Sequence, residues 1–200
     1  KVIDHLIFLF YIYFFLFSSI GYGIKFSNII SKNLVNLNLG WYGLIGFFLI
    51  SLISLFTSFF VSHNFLHNFV LHIIGFIFFC SSFLKKRNYY EYRILIYLSL
   101  LLIIAAFVFK NHDDFSYYHL TYALNLSENS FIVGTGNFSH GFRTFSSLFY
   151  YHSTLFFPFI DYYLFHIGPF YILVFFNFII MKKLIESLKS NNQDITFYFS

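Results

Sequence analysis

Long apolar runs without a charged residue constrain this chain more than any other feature. The clearest run extends from Trp41 to Val61 and contains 21 residues without Asp, Glu, Lys or Arg. As an α-helix it would be about 31 Å long, which matches the hydrocarbon thickness of a bilayer. Because 58% of the chain is hydrophobic and only 10% is charged, we expect an all-α polytopic membrane protein rather than a water-soluble domain.

Five transmembrane helices are predicted from such runs, with interfacial helices in an outer loop. Residues 1–109 contain four of them, residues 110–158 form the outer loop, residues 159–181 form the fifth, and residues 182–200 lie in the cytoplasm. The predicted spans are Leu6–Ile24, Trp41–Val61, Phe69–Leu84, Ile94–Phe109 and Phe159–Met181.

Shorter signals refine this organisation. The apolar segment from Phe145 to Phe157 is too short to span, so we predict a helix in or dipping into the outer interface, ended by Pro158. Gly168-Pro169 is expected to kink the fifth span. The missing initiator Met and the apolar residues near Ser200 predict a piece of a longer chain.

Basic residues predict which side each loop occupies. The strongest basic cluster is Lys85-Lys86-Arg87, and such clusters favour the cytoplasmic side. The same side then holds the other span-end lysines: Lys25, Lys32, Lys182 and Lys183. We therefore predict that residues 110–158 lie on the outer side of the membrane. The bilayer is an expected partner and nucleic acid is not, because the net charge of +4 comes from the span ends.

The acidic pair Asp113 and Asp114 supplies the candidate catalytic residues. The ordinary interpretation is that two carboxylates just after a span mark the water boundary. The functional alternative places one of them in a cavity between helices, as a general base on a hydroxyl or as a ligand of a divalent metal. Adjacent helical residues point about 100° apart, so the two would not share one role.

Histidines provide a second pattern, because all nine lie in predicted outer loops or the outer parts of spans. We interpret His5, His63 and His67 as ordinary interfacial residues. His119 and His140 are better candidates for a polar cavity that faces outward, where they would help to bind substrate phosphate.

Arg143 is the third candidate for binding phosphate. It is the only arginine after Arg93, and its outer position runs against the positive-inside trend. The planar guanidinium suits phosphate oxygens, although an ordinary interfacial arginine is the alternative. The glycine-containing turn from Gly134 to Asn137 lacks a following Lys-Ser/Thr and a preceding strand, which excludes a nucleotide-binding P-loop.

Helical spacing predicts an amphipathic helix after the acidic pair. Its proposed apolar face carries Phe115, Tyr118, Tyr122 and Leu126, and His119 lies towards another face. An interfacial helix anchored by aromatic residues would have this pattern. Such a helix would not prevent His119 from facing a site.

Three short runs carry a resemblance to a known superfamily. Asp114-Phe-Ser-Tyr-Tyr-His119, His140-Gly-Phe-Arg143 and Tyr162-Tyr-Leu-Phe-His166 resemble sequences of bacterial membrane proteins related to the GT-C integral-membrane glycosyltransferases. The resemblance covers about residues 94–181, with four predicted spans before the acidic motif where GT-C proteins usually have one. It implies that Asp113 and Asp114 form the acidic motif and that the sugar donor is linked to a polyprenyl phosphate.

The resulting expectation is a membrane glycosyltransferase that uses a lipid-linked sugar donor on the periplasmic face. One aspartate would deprotonate the acceptor or hold a metal, and Arg143 with His119 or His140 would bind the leaving phosphate. One alternative is an O-antigen polymerase or ligase type of protein, which would rely on Arg and His instead. The other is a transporter without covalent chemistry.

Overall fold

A computed structural model describes residues 2–30, 37–85, 89–107, 114–137, 140–143 and 146–189. All the regular elements in these residues are helical. The α-helices are α1 (Val2–Ile30), α2 (Leu39–Ser58), α3 (Phe65–Lys85), α4 (Tyr89–Phe107), α5 (Leu120–Glu128), α6 (Ser147–Ser153) and α7 (Gly168–Lys189). A short π-helix, Phe115–His119, precedes α5, and two 3₁₀ turns, Thr135–Asn137 and His140–Arg143, lie between α5 and α6.

Four helices in the described residues are long and apolar enough to cross a membrane. They comprise Asp4–Ile30, Leu39–Ser58, Phe65–Leu84 and Gly168–Leu188. The prediction of an all-α fold is therefore confirmed, and the length and composition of these four helices support the prediction of a membrane protein. The predicted fourth span lies on α4, which is not among these four helices.

The long helices alternate in direction, so one end of the bundle collects the polar loops. Residues near the start of α1 contact residues near the start of α7, since the Tyr171 hydroxyl donates to the Ile12 carbonyl at 3.0 Å. Tyr13 near the start of α1 also lies 3.0 Å from Ser99 in the second half of α4. We call this the histidine end of the bundle: it is where α1, α3 and α7 begin and where α2 ends.

Small residues bring α1 close to its two neighbours. Gly23 and Ser19 of α1 lie against the α2 residues Tyr42 and Gly46, and a Cβ on Gly46 would overlap the Ser19 carbonyl. Gly75 of α3 meets α1 in the same way. Lipid tails are as apolar as leucine, so close backbone contact of this kind contributes much of the helix association in membranes.

The opposite end of the bundle carries basic residues and a short ion pair between two helices. Lys182 of α7 approaches Glu91 of α4 with Nζ and Oε1 2.9 Å apart. Asn38 begins α2 at this end, where its side-chain oxygen accepts the Trp41 N–H at 3.2 Å. An uncompensated charge is unfavourable near the hydrocarbon, so this pairing fits a boundary position.

The prediction of the fifth span is wrong in two respects, the residue at which the helix begins and the kink at Gly168-Pro169. The helix begins at Gly168, not Phe159, and residues 154–167 form successive turns. Pro169 occupies the first turn of α7, where its missing N–H would lack a helical partner in any case. It therefore starts the helix instead of bending it.

The observed helix before Pro158 is shorter and more buried than the predicted interfacial helix. The helix α6 spans only Ser147–Ser153, and five of its residues are buried. Tyr151 stacks on Phe47 of α2 with ring centroids 4.0 Å apart, and its hydroxyl lies 3.2 Å from Ser19 of α1. The segment thus enters the bundle rather than lying on its surface. Ser146 begins it by accepting the Leu148 N–H at 3.3 Å.

Candidate functional site

A π-turn joins two of the predicted site residues. Asp114 directly precedes the π-helix Phe115–His119, and His119 is its last residue. The Leu120 N–H donates to the Phe115 carbonyl, so this turn contains one residue more than an α-helical turn. The extra residue moves Phe115 away from the face of α5, and its ring lies 6.1 Å from that of His166. Insertions of this kind are frequent at functional sites.

The turn that carries Arg143 packs against this π-turn. Gly141 is buried against Tyr118, and a Cβ at position 141 would overlap the tyrosine side chain. Arg143 is exposed, and its Nε–H donates to the Gly136 carbonyl at 2.8 Å. The structure therefore brings the backbone of the Arg143 turn next to the residue that precedes His119.

A mostly aromatic cluster packs against both turns. Its buried members are Tyr122, Leu126, Phe149 and Tyr150, with Tyr118 and Phe142 packed against them. The Tyr122 and Tyr150 hydroxyls are 3.1 Å apart, and the rings of His119 and Phe149 are 5.0 Å apart. Three of the four residues of the predicted apolar face, Tyr118, Tyr122 and Leu126, lie in this cluster. The fourth, Phe115, does not, because the extra π-helical residue turns it to another side.

A small open pocket lies beside this cluster. Asn125, Phe131, Thr135 and Phe142 line it together with Tyr122. Its walls are mostly apolar, and the polar residues among them are Asn125, Thr135 and Tyr122. The space is about that of a single water molecule, so the pocket is too small for a sugar or a lipid headgroup.

Two of the predicted site residues cannot be placed here. Asp113 and the side chain of His140 lie outside the described residues, although the backbone of His140 begins the Arg143 turn. In the part of the chain that the structure describes, no three His, Cys, Asp or Glu side chains are arranged to hold a metal ion. A metal at Asp113 or Asp114 stays a prediction.

A second polar site lies inside the histidine end, and its centre is His63. This ring is fully buried in the turn between α2 and α3. Its Nδ1 lies 2.6 Å from the Ser153 hydroxyl, and its Nε2 lies 3.0 Å from the Ser54 carbonyl. A carbonyl can only accept, so Nε2 carries the proton. Nδ1 is then an acceptor for the Ser153 hydroxyl proton, and the Tyr150 carbonyl, 2.9 Å from the same hydroxyl, competes for it. The interpretation of His63 as an ordinary interfacial residue is wrong.

Asn68 connects this histidine to its neighbours. The Asn68 amide nitrogen lies 2.7 Å from the His63 carbonyl, 3.0 Å from the Ser153 carbonyl and 3.3 Å from the Phe156 carbonyl. These acceptors orient the amide, so its oxygen faces His67 Nδ1 at 2.9 Å. His67 then donates from Nδ1 and accepts the Thr57 hydroxyl at Nε2, 2.9 Å away. His67 is thus a half-buried, bonded member of this network, and its interfacial interpretation stays a prediction.

His72 extends the polar site one turn deeper. The ring is completely buried, with Nε2 3.1 Å from Thr154 Oγ1 and Nδ1 3.2 Å from Ser18 Oγ. Thr154 donates its own proton to the Tyr151 carbonyl at 2.7 Å. Nε2 of His72 therefore donates to Thr154, and Nδ1 accepts from Ser18. These contacts tie α1, α3 and the chain after α6 together.

His152 completes the set at the start of α7. Its Nε2 accepts the Gly168 N–H at 3.2 Å, which satisfies one of the N–H groups that a helix start leaves unpaired. The ring is 6% exposed. A proton on Nε2 would replace this hydrogen bond with a repulsion between two donors, next to the positive end of the helix dipole.

Burial keeps these histidines neutral. Burial lowers the pKa of His63 to about 3, the charge of His67 adds to the decrease, and the Ser54 carbonyl opposes it. Burial also lowers the pKa of His152 to about 3, with smaller decreases from His166 and His119. Near neutral pH both rings are uncharged hydrogen-bonding groups, so the network can hold the turns together without a buried charge.

The sequence contains a partial signal for this network. Asn68 and His72 have helical i,i+4 spacing inside an apolar run, and polar residues on one face of a span point to the bundle interior. Their partners Ser153 and Thr154 are more than 80 residues away, and no local pattern indicates that contact.

Comparison of this chain with protein families, curated proteins and solved structures found no match.

Proposed function

We propose that this protein is a membrane glycosyltransferase that takes its sugar from a polyprenyl-phosphate-linked donor. The observation that carries the proposal is the packing of the Arg143 turn against the π-turn that joins Asp114 to His119. The two turns that carry a carboxylate, an imidazole and a guanidinium are thereby packed together at the histidine end. These are groups that can deprotonate a hydroxyl and stabilise a leaving phosphate.

Each side chain has a distinct role in the proposed reaction. The hydroxyl oxygen of the acceptor attacks the anomeric carbon of the donor, and the bond from that carbon to the phosphate oxygen breaks. Asp114, or Asp113 beside it, takes the hydroxyl proton. The bonding electron pair leaves with the lipid phosphate, and Arg143 and His119 stabilise the charge that develops there. His140 is the further candidate for this phosphate.

The location favours a lipid-anchored substrate. The histidine end lies where the membrane-length helices stop, so a donor held in the bilayer can present its headgroup there without leaving the lipid. We assign this end to the periplasmic side of a bacterial inner membrane. The reason is that Lys182, which pairs with Glu91, and its neighbour Lys183 lie at the opposite end. Positive charge at that end agrees with a cytoplasmic location.

The test measures sugar transfer in membranes that contain the protein and a radiolabelled lipid-linked sugar. Asp113→Asn and Asp114→Asn are made separately, and one of them is expected to lower transfer by roughly 10²–10⁴-fold because the general base is lost. Arg143→Lys keeps the charge but loses the planar fork, so a reduction of about 10-fold or more is expected. Unchanged transfer in both aspartate variants would refute the proposal.

Glu128→Gln is the matched control. Glu128 is an exposed carboxylate at the end of α5, in the same loop. It should leave transfer within about twofold of the parent protein. If Arg143 is essential and both aspartates are dispensable, the O-antigen polymerase or ligase type of reaction replaces the proposal. Tracer movement across proteoliposomes without a covalent product would favour a transporter.

A further inference from the structure

The turn formed by residues 157–163 has a strained backbone that points aromatic rings outward. Phe159 has φ 71° and Asp161 has φ 41°, which is the left-handed region that residues with a Cβ rarely adopt. The Asp161 N–H donates to the Phe157 carbonyl at 2.7 Å and helps to hold this shape. Strain of this kind persists only where the surrounding structure enforces it, and it tends to occur at functional positions.

The turn separates its apolar residues into two sets. Phe157 and Ile160 are buried in the bundle, whereas Phe159 is 81% exposed and Tyr163 is 54% exposed. Tyr162 is also exposed. The buried pair fixes the turn to the protein, and the left-handed backbone at Phe159 directs its ring away from the core.

This exposed set continues the apolar surface of two neighbouring helices. Phe157 contacts Phe65 at the start of α3, with ring centroids 5.6 Å apart, and Tyr163 contacts Phe8 in α1 at 6.2 Å. Phe65 is itself exposed, as are Leu6, Phe10 and Leu66 beside these contacts. Both helices are membrane-length spans, so the turn lies at the level where a span meets the headgroups.

We propose that the 157–163 turn inserts into the headgroup region of the bilayer and anchors the histidine end at a fixed depth. Phe159 enters the upper acyl region, and Tyr162 and Tyr163 place their hydroxyls among the headgroups, as tyrosines do in interfacial belts. The Asp161 carboxylate stays on the water side. The occupant is the lipid surface and not a sugar ring, because the exposed aromatic surface is continuous with lipid-facing helix surfaces. This proposal does not depend on the proposed transfer reaction.

Tryptophan fluorescence tests the insertion directly. The chain has a single tryptophan, Trp41, so Trp41→Phe provides a silent background for one new indole. Phe159→Trp in this background is reconstituted in phosphatidylcholine vesicles with or without lipids brominated on their acyl chains. The expected result is at least a twofold loss of emission with the brominated lipid and little quenching by acrylamide in the water phase.

Val133→Trp is the matched control, since Val133 is 87% exposed in the loop between α5 and the first 3₁₀ turn. Its indole should be quenched by acrylamide and not by brominated lipid. The same water-phase behaviour at position 159 would overturn the proposal. Resistance to both quenchers would also overturn it, because the ring would then be covered by protein. Tyr162→Trp provides a second probe if Phe159→Trp fails to fold.

Discussion

Replacing Asn68 by leucine tests whether the buried polar network holds the histidine end together. The Asn68 side chain is fully buried, and leucine is similar in size but has no polar atoms. The substitution removes two N–H donors from the carbonyls of His63 and Ser153, together with the acceptor for His67. Three hydrogen bonds are therefore lost with little change in packing volume.

The magnitude follows from the number of bonds. A hydrogen bond inside a membrane protein contributes about 0.6 kcal/mol on average, and one in a soluble protein about 1 kcal/mol. Loss of three bonds predicts a decrease of about 2–3 kcal/mol in the free energy of unfolding. The Ser153 carbonyl contributes most to this decrease, because Ser153 is completely buried and its freed carbonyl cannot reach water.

The assay is unfolding by sodium dodecyl sulfate in mixed micelles, followed by circular dichroism. Asn177→Leu is the matched control, because Asn177 makes a single bond to the Leu173 carbonyl of its own helix on an exposed face. It should change stability by less than about 0.5 kcal/mol. If Asn68→Leu lowers stability no more than Asn177→Leu does, the network does not hold the fold and the reasoning is refuted.

Three further predictions use the same unfolding assay. The pKa values of His63 and His152 are held at about 3, below the usual 6.5. The unfolded chain therefore binds protons that the folded chain excludes, and stability should fall by about 1.4 kcal/mol per histidine between pH 7.5 and 5.5. Gly46→Ala places a methyl group against an α1 carbonyl and should lower stability by about 1–3 kcal/mol. Glu91→Gln breaks the 2.9 Å ion pair with Lys182, whose side chains are only 17% and 15% exposed, and should lower stability by about 1–2 kcal/mol.

Each of these has a control and a contradicting outcome. His63→Gln should reduce the loss of stability between pH 7.5 and 5.5 by about 1.4 kcal/mol, and an unchanged pH dependence contradicts the assignment. A Cβ on Gly136 would come closest to the flexible Arg143 side chain, at 3.2 Å. A loss of stability in Gly136→Ala as large as that in Gly46→Ala would therefore contradict the role of close helix contact at Gly46. Glu186 lies 3.9 Å from Lys182 and is 68% exposed. An effect of Glu186→Gln as large as that of Glu91→Gln would argue against the ion pair.

The helical bundle could be predicted because its signals are local. An uncharged run such as Trp41–Val61 indicates a span without reference to any other segment, and α2 covers most of it. Residues 159–167 are as apolar as a membrane-spanning helix, so hydropathy places the start of α7 too early. Pro169 identifies the first turn of the helix only when the start of the helix is already known. Apolar composition alone does not distinguish a span from a buried turn.

The candidate site depends on contacts that no local pattern indicates. The π-turn adds one residue to a helical pattern, which moves Phe115 to another face although its spacing fits the α-helical face. His63 and Ser153 are separated by 90 residues, and their contact follows from the way α6 enters the bundle. The sequence therefore indicates polar residues at the loop but not which histidines become buried.

The hydrogen bond between Tyr171 and the Ile12 carbonyl has a consequence for synthesis. The two residues are 159 positions apart, and a ribosome adds roughly 5–20 residues per second. About 8–30 s must therefore pass between the synthesis of the first helix and that of its partner in α7. During this interval the part of α1 around Ile12 lacks its partner in α7, so the insertion machinery or a chaperone must tolerate a first helix whose packing is still incomplete.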